Sequence, residues 1–140
     1  MRWKPWIIGT AAAVLISAEL AHQLLPPDQA VAQAKVSCPD LSQSCQFELA
    51  GQTFRLQAAS PPSGLRPFEL TLTGPSQQAR AHFSMIGMEM GPNGYQLRAA
   101  GSQQLKASVI LPVCSQRRLD WLLTLELDQG RVDVTFTAQR

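Results

Sequence analysis

The stretch LDWLLTLELDQGRVDVTFT, residues 119–137, decides the fold of this chain. Its first half alternates Leu, Trp, Leu and Leu with mostly polar residues, and its second half alternates Val, Val and Phe with Asp and Thr. Successive side chains of a β-strand point to opposite faces, so each half predicts a strand with one buried face. Gln129 and Gly130 fit a tight hairpin turn between them. The stretch therefore predicts two antiparallel strands, with Trp121 in the core.

The same alternation recurs from residue 36 onward, with Gly, Pro, Ser and Gln between the runs and with Gly51-Gln52 as a second tight turn. No segment shows the 3.6-residue stripe of an amphipathic helix. About eight short strands in one exported region are typical of an all-β fold, here an immunoglobulin-like two-sheet antiparallel β-sandwich. The further runs are residues 46–49, 53–58, 68–73, 80–85, 95–99 and 105–111.

Residues 1–25 have the pattern of an export signal. Arg2 and Lys4 precede an uncharged run from Ile7 to Ala18, as in a signal peptide. Residues 6–25 are also about long enough to cross a bilayer as one hydrophobic helix. Cleavage and an uncleaved signal anchor are therefore both open. In either case we expect a tether at residues 26–35 and an exported domain at residues 36–140.

The composition argues against several classes of function. The 140 residues carry 12 Lys and Arg against 10 Asp and Glu, a net charge of +2. That balance does not suit a protein that binds nucleic acid by neutralising phosphates. No Gly-rich phosphate loop occurs either. We expect a protein that is not an enzyme and that has no nucleic-acid partner.

Three cysteines follow the leader, in a compartment where disulfides persist. Cys38 and Cys45 enclose a short polar segment, and a bond between them would pin the start of the domain. The alternative joins Cys114 to one of these two. In either case one thiol is left over, as a buried apolar side chain, a metal ligand or an intermolecular bond.

A Met-rich segment is the part of the sequence best suited to chemistry. It contains Met85, Met88 and Met90, with His82 just before it, and Cys114 follows a later strand. Thioether, imidazole and thiolate groups together suit Cu(I), because soft ligands select a soft ion. Strand parity, however, points Met85 inward as core filler and His82 to the opposite face. Core packing, copper contact and partner binding by exposed Met all remain open.

A second cluster contains Arg117, Arg118 and Asp120, next to the predicted core residue Trp121. An Arg–Asp pair at the start of a strand is usually a surface ion pair worth about 0–1 kcal/mol. The functional alternative is a weak partner-binding site.

The segment FSMIGMEMGPNGY from Phe83 to Tyr95, the LPVC segment ending at Cys114, and Arg118 with Asp120-Trp121 resemble a family of small membrane-anchored periplasmic proteins of proteobacteria. More distantly, the chain is similar to FixH-like and YtkA-like domains, which have a sandwich fold and a Met-Gly turn. The resemblance implies a single-pass inner-membrane protein whose domain faces the periplasm. It also implies copper delivery or respiratory oxidase assembly, with Met85, Met88, Met90 and Cys114 as candidate ligands.

The sequence thus predicts a non-enzymatic periplasmic accessory protein that contacts Cu(I) weakly at its Met-rich turn. Its expected partners are the inner membrane and a respiratory or metalloprotein assembly protein. The alternative is a metal-free structural or protein-interaction module anchored at the inner membrane.

Overall fold

The computed structural model describes residues 31–88, 90–113 and 118–140. Within these residues the protein is all-β, as predicted, and a helix of the length and apolarity needed to span a membrane is not found there. The leader predicted at residues 1–25, with its hydrophobic helix, lies outside the described residues. The nine strands are β1 (Ala32–Ser37), β2 (Cys45–Leu49), β3 (Gln52–Ala58), β4 (Phe68–Thr73), β5 (Ala79–Met85), β6 (Gly94–Ala99), β7 (Gln104–Val109), β8 (Asp120–Leu127) and β9 (Gly130–Thr137).

The strands form one sheet in the order β1-β9-β8-β5-β6-β7-β4-β3-β2. Strand β6 joins the two halves of this order, because its first residues pair with β5 whereas Arg98 and Ala99 pair with β7. The first and last strands of the order, β1 and β2, also contact each other, so the sheet is nearly closed. The predicted antiparallel arrangement is wrong at one pair, since β1 and β9 run parallel.

Both predicted hairpin turns lie one residue earlier than the sequence indicated. Leu127 pairs with Gly130 and Leu49 pairs with Gln52, so the second residue of each predicted turn already belongs to a strand. The turn before Gln52 consists of Ala50 (φ 51°) and Gly51 (φ 73°). Two left-handed residues match the right-handed twist of the flanking strands, which explains this placement.

Strand β1 corrects the predicted tether. It begins at Ala32, so residues 32–35 of the segment assigned to the tether belong to the sheet. The strand fits because Gly130 lacks a side chain: a Cβ there would overlap the carbonyl oxygen of Ala32. Strand β1 therefore begins beside the β8–β9 turn.

The core is centred on Phe83 of β5, which is fully buried. Its ring packs edge-on against Phe68, Tyr95 and Phe136 at centroid distances of 6.4, 6.0 and 6.1 Å. Trp121 is buried and stacks on Phe136, so its predicted role in the core is confirmed. Because Phe68 belongs to β4, the Phe68–Phe83 contact joins the two halves of the sheet.

A disulfide joins Cys38 to Cys45, which confirms the first of the two predicted pairings. It closes the loop between β1 and β2, the two strands at the ends of the sheet order. Leu41 within this loop is fully buried, and its carbonyl oxygen accepts the N–H of Ala58 at 2.7 Å. Cys114, the cysteine of the alternative pairing, lies outside the described residues.

Candidate functional site

Several connections meet at one end of the domain. We call the surface formed by three of them the loop end: residues 59–67, 86–93 and 110–119 as far as they are described. Strand β5 ends here and β8 begins here, since Met85 pairs with Trp121. The 59–67 connection is held by hydrogen bonds from the N–H of Leu65 to Leu111 O at 2.9 Å and from the N–H of Gln139 to Pro62 O at 2.7 Å. These contacts bring residues from distant parts of the sequence onto one surface.

The Met turn contains Met85, Met88 and Met90 and forms one side of the loop end. The side chain of Met85 is buried, as strand parity predicted. Its N–H donates to Sδ of Met90 at 3.3 Å, and its carbonyl oxygen accepts the N–H of Met88 at 3.2 Å. Gly87, at φ 78°, supplies the reversal that makes this turn possible. Met88 and Met90 are half-buried against the core.

His82 lies away from this group. It is exposed on the outer face of β5, opposite Gly94 and Thr124 on the neighbouring strands, whereas Met85 points into the core. The structure therefore brings the three Met residues together but does not bring His82 to Met85. In the described ranges, groups of three or more His, Cys, Asp or Glu that could hold a metal ion do not occur. Cys114, the remaining predicted ligand, falls outside those ranges.

Arg118 holds the Met turn from the side rather than pairing with Asp120. Its Nη1 donates to the carbonyl oxygen of Ile86 at 3.2 Å. The N–H of Ile86 donates in turn to the backbone oxygen of Asp120 at 3.2 Å. Arg118 and Asp120, both described, do not form an ion pair with each other, so the predicted Arg–Asp pair is not formed by Arg118. Arg117, also predicted in this cluster, lies outside the described residues.

The sequence did not single out the most exposed apolar residues of the loop end. Leu65 and Val113 have 68 % and 65 % of their surface exposed, and Ile110 has 45 %. Leu65 also has a left-handed backbone, with φ 59°. A Cβ on Gly64 would lie 3.2 Å from Cγ2 of Val113, so the 59–67 and 110–113 segments pack side by side. The run Pro61-Pro62-Ser63-Gly64 predicted a loop but gave no signal for this surface.

Tyr95 fixes the position of Ile110. Its hydroxyl donates to the carbonyl oxygen of Ile110 at 2.8 Å and accepts the N–H of the same residue at 3.2 Å. The ring of Tyr95 packs against Phe83. Tyr95 of β6 thus satisfies both backbone hydrogen-bonding groups of Ile110, and the side chain of Ile110 remains at the surface.

Positive charge flanks these apolar side chains. Arg66 follows Leu65 directly, and Arg140 follows Gln139, which pairs with Ser63. Both arginines are exposed, and neither forms an ion pair with another described residue. The surface therefore combines an apolar centre with unpaired guanidinium groups at its margin.

Comparison with family models, with curated proteins and with solved structures finds no match to this chain. The resemblance to FixH-like and YtkA-like domains stays a prediction.

Proposed function

We propose that the protein is a non-enzymatic accessory protein at the periplasmic side of the inner membrane, and that its loop end binds another protein. The observation that carries the proposal is Leu65, which is both strongly exposed and left-handed. A left-handed backbone costs a non-glycine residue about 1–2 kcal/mol. Glycine at this position would avoid that cost, so the leucine side chain itself has a use.

Backbone strain of this kind concentrates at binding sites, where the strained geometry presents a side chain to a ligand. Ile110 and Val113 extend the apolar area beside Leu65. An apolar surface rimmed by polar residues is typical of a protein interaction site. The flanking Arg66 and Arg140 call for a partner that offers an apolar patch bordered by carboxylates. A respiratory or metalloprotein assembly protein is the partner that the sequence resemblance implies.

We also infer an immunoglobulin-like arrangement of the strands. Strand β4 pairs with β7 and β5 pairs with β8, although the chain passes directly from β4 to β5 and from β7 to β8. Two such crossing connections support a two-layer sandwich of this class. In immunoglobulin variable domains the loops at one end of the sandwich carry the binding site. The loop end would be the corresponding surface here.

The interaction is tested by photo-crosslinking of the full chain in the periplasm, with a photoreactive residue at Ile110. We expect one adduct of defined mass. In Leu65→Gly its yield should fall at least about tenfold, which corresponds to about 1.4 kcal/mol of binding free energy. Because glycine relieves the backbone strain, this variant should be no less stable than the wild type. The change therefore separates binding from folding.

Two controls sharpen the experiment. Val31→Ser removes a similarly exposed apolar side chain, 65 % exposed, next to β1, and should leave the yield unchanged. A photoreactive residue at Ser102, in the β6–β7 turn, should give no adduct of the same mass. If Leu65→Gly retained the full yield, or if Ser102 gave the same adduct, the loop end would not be the binding surface.

A second candidate is Cu(I) contact, favoured by the hydrogen bond that draws Sδ of Met90 onto the backbone of Met85. The turn thereby places one thioether on a backbone that also carries Met88, and thioethers are ligands that select Cu(I). In a Cu(I) titration of the full chain under reducing conditions, the double variant Met88→Leu/Met90→Leu should bind at least about tenfold more weakly than the wild type.

The same titration of His82→Ala should match the wild type, because His82 is on the outer face. Repeating both titrations in a Cys114→Ser chain separates the contribution of the thiolate. Equal affinity in the wild type and the double Met variant would exclude the Met turn as a copper site.

A further inference from the structure

A second surface lies at the opposite end of the domain. There the β4–β5 and β6–β7 connections enclose an open cleft of about 510 Å³. Every residue that lines it is uncharged. The polar lining consists chiefly of Gln77, Gln103 and Gln104, with Ser76 buried behind them, and the apolar lining consists of the exposed Pro75 and the buried Leu105. Its volume is within the range of about 300–1,000 Å³ that is usual for small-molecule sites.

The first wall of the cleft is held by Asp128. Its Oδ2 accepts the N–H of Gln77 at 2.7 Å and that of Gln78 at 3.2 Å, and it accepts the hydroxyl of Ser76 at 3.2 Å. The hydrogen bond from Gln77 holds the pKa of the Asp128 carboxyl below its usual value. The contact is thus present above the ordinary pKa of Asp and is lost only as pH falls through the lowered one. Near neutral pH the wall is preformed.

The second wall is the β6–β7 turn, and a hydrogen bond from the N–H of Gly74 to Gln103 O at 2.9 Å ties it to the first. Gln103 has φ 55°. It occupies the last position of the β6–β7 connection, residues 100–103, with a left-handed backbone for which glycine is the usual choice. A glutamine here carries a conformational cost that glycine would avoid. As with Leu65, the retained side chain points to a binding role.

The chemical groups that line the cleft indicate which class of ligand it binds. A primary amide has both donors and an acceptor, so the three amides match the vicinal hydroxyl groups of a sugar. An uncharged lining gives no preference for an ion. The exposed ring of Pro75 can contact the apolar C–H face of a sugar ring. We propose that this cleft binds an uncharged carbohydrate, such as a short stretch of a glycan chain, independently of the loop end.

The test is an NMR titration of the isotope-labelled full chain in a detergent without sugar groups, using the tetrasaccharide of N-acetylglucosamine and, separately, maltotetraose. We expect saturable shifts of backbone amides at residues 74–77 and 101–105 with at least one of the two sugars. A dissociation constant of roughly 1 mM would be usual for so open a site.

Gln103→Gly is the decisive variant, because it removes the amide while placing the preferred residue at a left-handed position. It should lose the saturable shifts and should keep or raise the melting temperature. Gln33→Ala, which removes an exposed amide from β1, is the matched control and should bind like the wild type. The proposal is overturned if neither sugar gives saturable shifts in the cleft, or if Gln103→Gly binds as well as the wild type.

Discussion

Replacement of Gly130 by alanine is expected to detach β1 from the sheet and to lower the free energy of unfolding by about 4 kcal/mol. Gly130 is buried and has φ 147°, a conformation that side chains rarely adopt. Strain there costs about 1–3 kcal/mol. The new Cβ would also overlap the backbone carbonyl of Ala32, which cannot move aside as the end of a flexible side chain can. Such overpacking adds about 1–3 kcal/mol.

The loss of stability should be concentrated in β1. Among the described strands, β1 pairs with β9 alone, over Ala32–Ser37, and its inward residues Ala34 and Val36 are half-buried against the core. Chemical denaturation measures the total change, and hydrogen exchange shows where it falls. We expect the amides of β1 to lose protection while those of β5 and β8 keep theirs.

Gly91→Ala is the matched control. Its backbone is not left-handed and a Cβ there would meet nothing within 4 Å, so its effect should be within about 0.5 kcal/mol. If Gly130→Ala and Gly91→Ala had the same stability and the same exchange pattern, the close parallel pairing of β1 with β9 would be refuted.

This dependence on Gly130 also explains why the sequence did not predict β1. Its residues AQAKVS have weak strand propensity, and only the partner strand, almost a hundred residues later, gives them a place in the sheet. Strands β8 and β9 are the opposite case. Their alternation is local, and in β9 it matches the buried positions of Val132, Val134 and Phe136. Alternation of apolar and polar residues predicts a strand where the strand's own residues show which face is buried.

The residues of the candidate sites also differ in whether the sequence could predict their positions. Parity along β5 was enough to predict that Met85 points inward and His82 outward, and the structure has them so. The exposure of Leu65 was not predictable, because its left-handed backbone depends on a hydrogen bond to Leu111 across the loop end. The position of Gln103 likewise depends on the bond from Gly74. Sites assembled by contacts between loops leave little trace in the periodicity of a single segment.

Removal of the disulfide by Cys38→Ala/Cys45→Ala is expected to lower the free energy of unfolding by about 2.5 kcal/mol. The bond closes a loop of eight residues, for which the entropy of the unfolded chain accounts for a change of that size. The measurement is denaturant unfolding in a Cys114→Ser background, which prevents exchange with the third cysteine. Reduction of the same parent protein should give a similar loss, and an unchanged midpoint after reduction would contradict the prediction.

The loop also contains Leu41, so the disulfide can act on the folded state as well as on the unfolded one. Leu41→Ala should cost about 2–5 kcal/mol, as usual for a fully buried leucine. If the disulfide acts only by restricting the unfolded chain, its loss and Leu41→Ala should add to within about 0.5 kcal/mol. If the disulfide also holds Leu41 in place beside Ala58, the loss of stability in the combined variant should be smaller than the sum of the two separate losses. Without the disulfide, the loop has already released the Leu41 side chain. We expect the second result, since the carbonyl of Leu41 is bonded to the N–H of Ala58 and the same loop joins the two ends of the sheet order.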